Sequence, residues 1–214
     1  MILIFSYNRP KLLEKVINQC PEKPYVIDDG SDFDVMPFVS KSYFHKLKHK
    51  GKEHFYKNWQ YALDICKQSD DDFFLFLPDD FINVEHTKIN YIKSNVQGPY
   101  VYNILNDGRP EIWTPIKHKK TEVAGIPSFF SSYVDCGYFT NRETLKSIQF
   151  KQENISVARF ERSMASSGVG WSQSRAFYKK GIPMYFPQKS LCYHGEHESM
   201  MHPKLRKIQP LVSR

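Results

Sequence analysis

The stretch that most restricts what this chain can become is Phe73-Phe74-Leu75-Phe76-Leu77, followed by Pro78-Asp79-Asp80-Phe81. Asp70, Asp71 and Asp72 precede it, and no polar side chain interrupts it. An unbroken apolar run between turn formers reads as a strand buried on both faces, the environment of a helix-covered sheet. Such a strand delivers two neighbouring carboxylates at its C-terminal end. In open α/β sheets that carboxyl edge is where ligands bind. Carboxylate oxygens are hard donors suited to Mg²⁺ or Mn²⁺, ions commonly shared with nucleotide phosphates. The plainer alternative is a strand ending in an acidic turn, since Asp favours turns.

The residues upstream repeat the pattern. Met1-Ile2-Leu3-Ile4-Phe5 is a first apolar strand, running into Ser6-Tyr7-Asn8-Arg9-Pro10. Lys11 to Ile17 carries apolar residues at helical spacing, and Pro10 suits the first turn of a helix. Tyr25-Val26-Ile27 then leads into Asp28-Asp29-Gly30-Ser31. Strand, helix and strand, with acids at the strand ends, imply a parallel sheet flanked by helices. Phe55, Trp59, Ala62, Leu63 and Cys66 recur at spacings of three or four, which predicts an amphipathic helix from Glu53 to Gln68.

A length of 214 residues suffices for one good-sized core, and no stretch has the composition of a linker or an internal repeat. No segment is apolar enough for a membrane span or a signal peptide, so a cytoplasmic protein is expected. Cys20, Cys66, Cys136 and Cys192 lack paired spacing and read as reduced thiols, not as zinc ligands or disulfides. The formal charge of +7 is concentrated in clusters. Lys41, His45, Lys46, Lys48, His49, Lys50, Lys52, His54 and Lys57 interleave with Tyr43, Phe44, Phe55, Tyr56 and Trp59; Lys117 to Lys120 and Lys204 to Arg214 follow. This basic, aromatic surface fits either a diphosphate-bearing ligand or the phosphates of DNA or RNA.

Ile4 to Pro10, Asp28 to Ser31 and Leu77-Pro78-Asp79-Asp80 together resemble glycosyltransferases of the GT-A fold, family-2 type. The likeness continues through Gly170-Trp171, a helix-like Ser172 to Lys180, Gly181, and Pro187 to Gly195, similar to the segment that ends many of these catalytic domains. It implies an α/β, Rossmann-like fold with a mainly parallel twisted sheet flanked by helices, in a single catalytic domain over residues 1–214. The implied activity is metal-dependent transfer of a sugar from a nucleoside diphosphate sugar, UDP-linked, to an acceptor hydroxyl, with Mn²⁺ or Mg²⁺ as cofactor.

Carried onto this sequence, the resemblance has Ser6, Tyr7, Asn8 and Arg9 line the nucleotide pocket, with Asp28 or Asp29 accepting hydrogen bonds from base or ribose. His54, Lys57 and Asn58 stand where the family faces a basic residue and an Asn toward the donor. Asp79 would contact ribose or metal-bound water, and Asp80 the metal itself. Pro78 stands where the family's pattern begins with a third acid. His194 would complete the coordination sphere, with His197 and His202 as competing ligands. An inverting enzyme also needs a carboxylate base. No acid lies between Gly168 and Arg175, where the family supplies one, which leaves Glu161 and then Asp135, or a retaining mechanism.

Asp135 to Glu143 resembles the family's acceptor-side segment, with Asn141 as N-cap of a helix from Arg142 to Ile148. Gly108 to Ser132 reads as a loop or short hairpin shaping the acceptor site. The acceptor is a saccharide or a hydroxymethylated base in DNA, which would have to be flipped out of a duplex. A rival from another class is a non-catalytic nucleic-acid-binding module with a degenerate nucleotide-binding fold. A nucleotidyltransferase would also pair carboxylates on a strand, but it calls for a Gly-rich phosphate loop, and none is evident.

Overall fold

The apolar segments of the N-terminal half pair side by side and bring their polar ends to one edge. The computed structural model describes residues 1–47, 55–106, 119–134, 137–149 and 169–195. Strand β1 (Ile2–Ser6) lies between β2 (Tyr25–Asp28) and β4 (Phe73–Pro78), and β3 (Tyr43–Lys46) flanks β2. These pairings are all parallel, with Ser6 opposite Asp28 and Phe5 opposite Pro78. Their C-terminal ends therefore share one edge.

Beyond β4 the sheet becomes mixed. Strand β9 (Tyr138–Asn141) runs antiparallel between β4 and β6 (Val101–Asn103), and β10 (Met184–Pro187) runs parallel to β6. Strands β8 (Ile126–Ser131) and β7 (Lys120–Val123) complete a nine-stranded sheet of order β3-β2-β1-β4-β9-β6-β10-β8-β7. The sheet is thus mixed around the mainly parallel core that was expected, with a further parallel pair between β6 and β10. Strand β9 starts at the carboxyl edge, with Tyr138 opposite Phe76 of β4 and Asn103 of β6. A separate two-stranded ladder joins β5 (Phe81–Ile82) to β11 (Tyr193–His194).

Side chains alternate across the sheet as a pleat requires. Ile2, Ile4, Phe73, Leu75 and Leu77 join one buried layer with residues of α1 (Pro10–Gln19) and α3 (His86–Asn95). Leu3, Phe5, Phe74 and Phe76 join the other with α2 (Phe55–Gln68), α4 (Arg142–Ser147) and α5 (Val169–Lys179). The Phe73–Leu77 run is apolar throughout because both of its faces are covered, and each such side chain contributes about 1.5–3 kcal/mol of burial free energy. Trp59 is fully buried, with ring centroids 4.3 Å from Phe5, 5.1 Å from Phe76 and 5.7 Å from Tyr138.

Local chemistry sets the helix ends. Pro10 occupies the first turn of α1, and the Asn141 side chain caps α4 by accepting from Thr144 N at 2.9 Å. Helix α5 ends at Gly181, whose φ of +67° lets Ile182 N donate to Phe177 O and Gly181 N to Tyr178 O. Of the Gly108–Ser132 segment, residues 119–132 are described, and they contain a hairpin. It turns through Ala124 and Gly125 at φ +50° and +76°. Among the described cysteines, Cys20, Cys66 and Cys192 are free thiols; burial pushes Cys66 up and Cys20 up to about 12. No described helix is long and apolar enough to cross a membrane.

Candidate functional site

Three parallel strand ends form the floor of the site. Asp29 N donates to Ser6 O at 2.8 Å and Asp79 N to Phe5 O at 2.9 Å, extending the sheet's pairing one residue past the strands. The loop after β1 lies between the acidic ends of β2 and β4. Asn8 carries it through φ +55°, a left-handed conformation that Asn tolerates better than most residues. Its side chain and Asp32 bond reciprocally: Asn8 Nδ2 donates to Asp32 Oδ2 at 2.9 Å, and Asp32 N donates to Asn8 Oδ1 at 2.8 Å.

Asp79 and Asp80 are both buried, 3% and 4% exposed, and one guanidinium serves both. Arg9 Nη1 donates to Asp79 Oδ1 at 2.9 Å and to Asp80 Oδ2 at 2.7 Å. Asp79 Oδ2 also accepts from Tyr7 N at 3.0 Å. Burial pushes the Asp79 carboxyl up to about 7; Arg9 opposes the rise and Asp80 adds to it. Above that pH both carboxyls are ionised against one guanidinium, and the net negative charge in a place with little water favours a further cation.

His194 reaches this pair from the far end of the described chain. The β5/β11 ladder sets His194 opposite Phe81, and Gly195 N donates to Asp80 O at 2.7 Å. The imidazole lies edge-on to the Phe81 ring at 5.3 Å, with Nδ1 3.5 Å from Asp80 Oδ2. Gly137 closes the other side of Phe81: a Cβ there would fall 2.2 Å from Phe81 Cε2. Only a residue without a side chain lets β9 begin so close to the ring.

The residues present fit a divalent ion. Asp80 Oδ2 and His194 Nδ1 are near enough to share one ion about 2.1 Å from each. Among the described residues no cluster of three or more His, Cys, Asp or Glu side chains forms a fuller cage. Water and phosphate oxygens would supply the remaining positions, as is usual for such ions at nucleotide sites.

The acids at the end of β2 divide their roles. Asp28 is fully buried and its two oxygens accept from Ser31 N at 2.9 Å and Ser31 Oγ at 2.5 Å. It holds the turn, and Ser31 Oγ in turn accepts from Asn8 N. Asp29 beside it is half-buried. Tyr7 stands close enough for Asp32, Asp29 and Asp28 to add to the rise that burial causes in its phenol pKa. Ser6 Oγ is buried with no hydrogen-bond partner among the described residues. Asn58 is buried in the first turn of α2, and Lys57 beside it is exposed.

Two placements were not legible beforehand. Arg9 is set against the Asp79–Asp80 pair, and the signal for it was its being the only cation between β1 and α1. Lys46, in the basic run from Lys41 to Lys57, has its Nζ donating to Ser31 O at 2.8 Å, beside the Asp28 turn. Glu161, Asp135, His54, His197, His202, Lys48 and Lys50 lie outside the described residues. A hollow of about 440 Å³ at the opposite, amino edge is lined by Met1, Tyr25, Tyr61 and Asp64, and it holds no paired carboxylates.

No protein-family profile and no curated protein matches the chain. Solved structures do match it. Glucosyl-3-phosphoglycerate synthase from Mycobacterium tuberculosis, in complex with Mn²⁺ and UDP-glucose, superposes with a TM-score of 0.58 at 14% identity, over 92% of this chain and 71% of that one. TarS 1–349 of S. aureus gives 0.54 at 15% identity, over 92% of this chain. CMP:2-keto-3-deoxy-manno-octonic acid synthetase complexed with CTP gives 0.51 at 11% identity, over 91% of each chain. The fold is GT-A-like. This chain spans 60% of the TarS chain it matches. Because the last of these structures holds CTP, GT-A-like architecture alone does not select among nucleotide chemistries; the side chains at the carboxyl edge must do so.

Proposed function

We propose that this chain is a nucleotide-sugar-dependent glycosyltransferase of the family-2 type, with residues 1–214 acting as one catalytic domain. The observation that carries the reading is the approach of His194 Nδ1 to Asp80 Oδ2, 3.5 Å apart beside the β5/β11 ladder. A carboxylate–imidazole pair at the carboxyl edge suits Mn²⁺ better than Mg²⁺, and the synthase of the same fold holds Mn²⁺ with UDP-glucose. A divalent ion bound there supplies Lewis-acid compensation for the charge of the departing diphosphate.

The chain's own residues provide the rest. Asp80 and His194 would hold the ion, and Asp79 would orient ribose or metal-bound water. Asp29 would accept from uracil N3–H or a ribose hydroxyl, with Ser6, Tyr7 and Asn58 lining the pocket. Glu161, and after it Asp135, is the candidate base, and both lie outside the described residues. The donor is UDP-linked, the acceptor is a saccharide hydroxyl, and the working compartment is the cytoplasm. A hydroxymethylated DNA base is the second acceptor reading, favoured by the +7 charge and the basic, aromatic run from Lys41 to Lys57.

Thermal shift with a panel of nucleotide sugars, with and without Mn²⁺, tests the reading. A ligand at a hundred times its dissociation constant adds roughly 2.7 kcal/mol. Stabilisation by a UDP-sugar that requires Mn²⁺ supports it. No response to any nucleoside diphosphate sugar would refute it, and a response confined to a nucleoside triphosphate would favour nucleotidyl transfer. Salt-sensitive binding of DNA by the same protein separates the two acceptors.

A further inference from the structure

Arg9 is bound to the oxygen that a divalent ion would need. Its Nη1 lies 2.7 Å from Asp80 Oδ2, the same oxygen that faces His194 Nδ1. The same nitrogen lies 2.9 Å from Asp79 Oδ1, so a single guanidinium nitrogen bridges both carboxylates. An N–H donor on Asp80 Oδ2 draws charge from an oxygen the metal would use, and two positive centres around one oxygen repel strongly where side-chain exposure is 13% for Arg9 and 6% for Asp80. The guanidinium also leaves part of its donor set unused. It uses one terminal nitrogen instead of its bidentate fork, and its buried Nε has no hydrogen-bond partner among the described residues. Tyr7 N and Ser31 keep the loop backbone in place independently of the Arg9 side chain.

We infer that Arg9 is a resident counter-cation that competes with the divalent ion for Asp80, and that on ion binding its guanidinium leaves Asp80 and pairs with the phosphates of the nucleoside diphosphate. This inference rests on the glycosyltransferase reading of the site. It gives Arg9 two opposite effects on binding: it weakens the ion's affinity in the absence of nucleotide and strengthens the nucleotide's affinity once the ion is bound. A purely structural arginine would strengthen both. The guanidinium suits this exchange, because it matches carboxylate and phosphate oxygens equally and is weakly hydrated.

The experiment uses the full chain and two titrations, Mn²⁺ alone followed by electron paramagnetic resonance, and UDP at saturating Mn²⁺ followed by calorimetry. Arg9→Gln removes the charge and keeps a polar side chain. The expected result is Mn²⁺ binding about tenfold tighter than wild type, together with UDP binding about tenfold weaker; close charge pairs couple by at least this much. Equal or weaker Mn²⁺ binding by the folded variant overturns the inference. If Arg9→Gln does not fold, Arg9→Lys decides the matter. Its strongly hydrated ammonium should leave Asp80 more readily, so Mn²⁺ binding should tighten about threefold; unchanged or weaker binding again overturns it. Failure of the underlying reading looks different: Mn²⁺ binds to wild type and variant, but UDP binds to neither.

Discussion

Gly137→Ala should damage the site more than it damages the fold. The new Cβ would stand 2.2 Å from Phe81 Cε2, 2.8 Å from Cδ2 and 3.1 Å from Cζ. Ordinary contact begins near 3.4 Å, so the ring or the start of β9 must retreat by about 1.2 Å. Phe81 is 2% exposed, so the ring has no open space to enter. Overpacking of this kind costs about 1–3 kcal/mol. At about 2–4 °C per kcal/mol for a chain of this size, the melting temperature should fall by about 2–12 °C. The functional loss should be larger, because Phe81 is the ladder partner of His194 and touches its ring. A shift of about 1 Å there separates His194 Nδ1 from Asp80 Oδ2, and Mn²⁺-dependent UDP binding should weaken about tenfold or more, read by calorimetry below the melting transition. Phe81→Leu in the Gly137→Ala background should restore part of the affinity, since the coupled pair is in direct contact. Wild-type UDP affinity in Gly137→Ala, or additive losses in the double variant, would refute the argument.

Other perturbations have separate readouts. Asp80→Asn keeps the shape of the site and removes one of its charges; Mn²⁺-dependent UDP binding should disappear by calorimetry while far-ultraviolet circular dichroism stays unchanged. Ala124→Gly relieves a non-glycine residue held at φ +50°, and the melting temperature should rise by an amount corresponding to about 1 kcal/mol. Trp59→Ala opens a cavity among Phe5, Phe76 and Tyr138 and should cost about 3–5 kcal/mol in urea unfolding.

Much of the sheet can be read from the sequence because its signals are local. Strands β1, β2 and β4 announce themselves as apolar runs, α1 by Pro10 and its apolar spacing, and α4 by the Asn141 cap. The place of β9 does not announce itself. Its four residues, Tyr138 to Asn141, pair with β4 on one side and β6 on the other, and neither partner is its neighbour in sequence. A short strand flanked by both partners gains its stability from long-range contacts that no local pattern records.

Within the site the dividing line is finer still. The sequence marks Asp28, Asp29, Asp79 and Asp80 as acids at strand ends, which is enough to locate the edge. It cannot say what each acid of a pair bonds to, because identical neighbouring side chains carry no distinguishing signal. The decision comes from residues that look incidental in the sequence. Ser31 draws Asp28 into the turn and so distinguishes it from Asp29. Arg9, pre-set by Asn8 and Pro10 on either side, reaches both Asp79 and Asp80. The chemistry of this edge is therefore set less by its four carboxylates than by the serine and the arginine that apportion them.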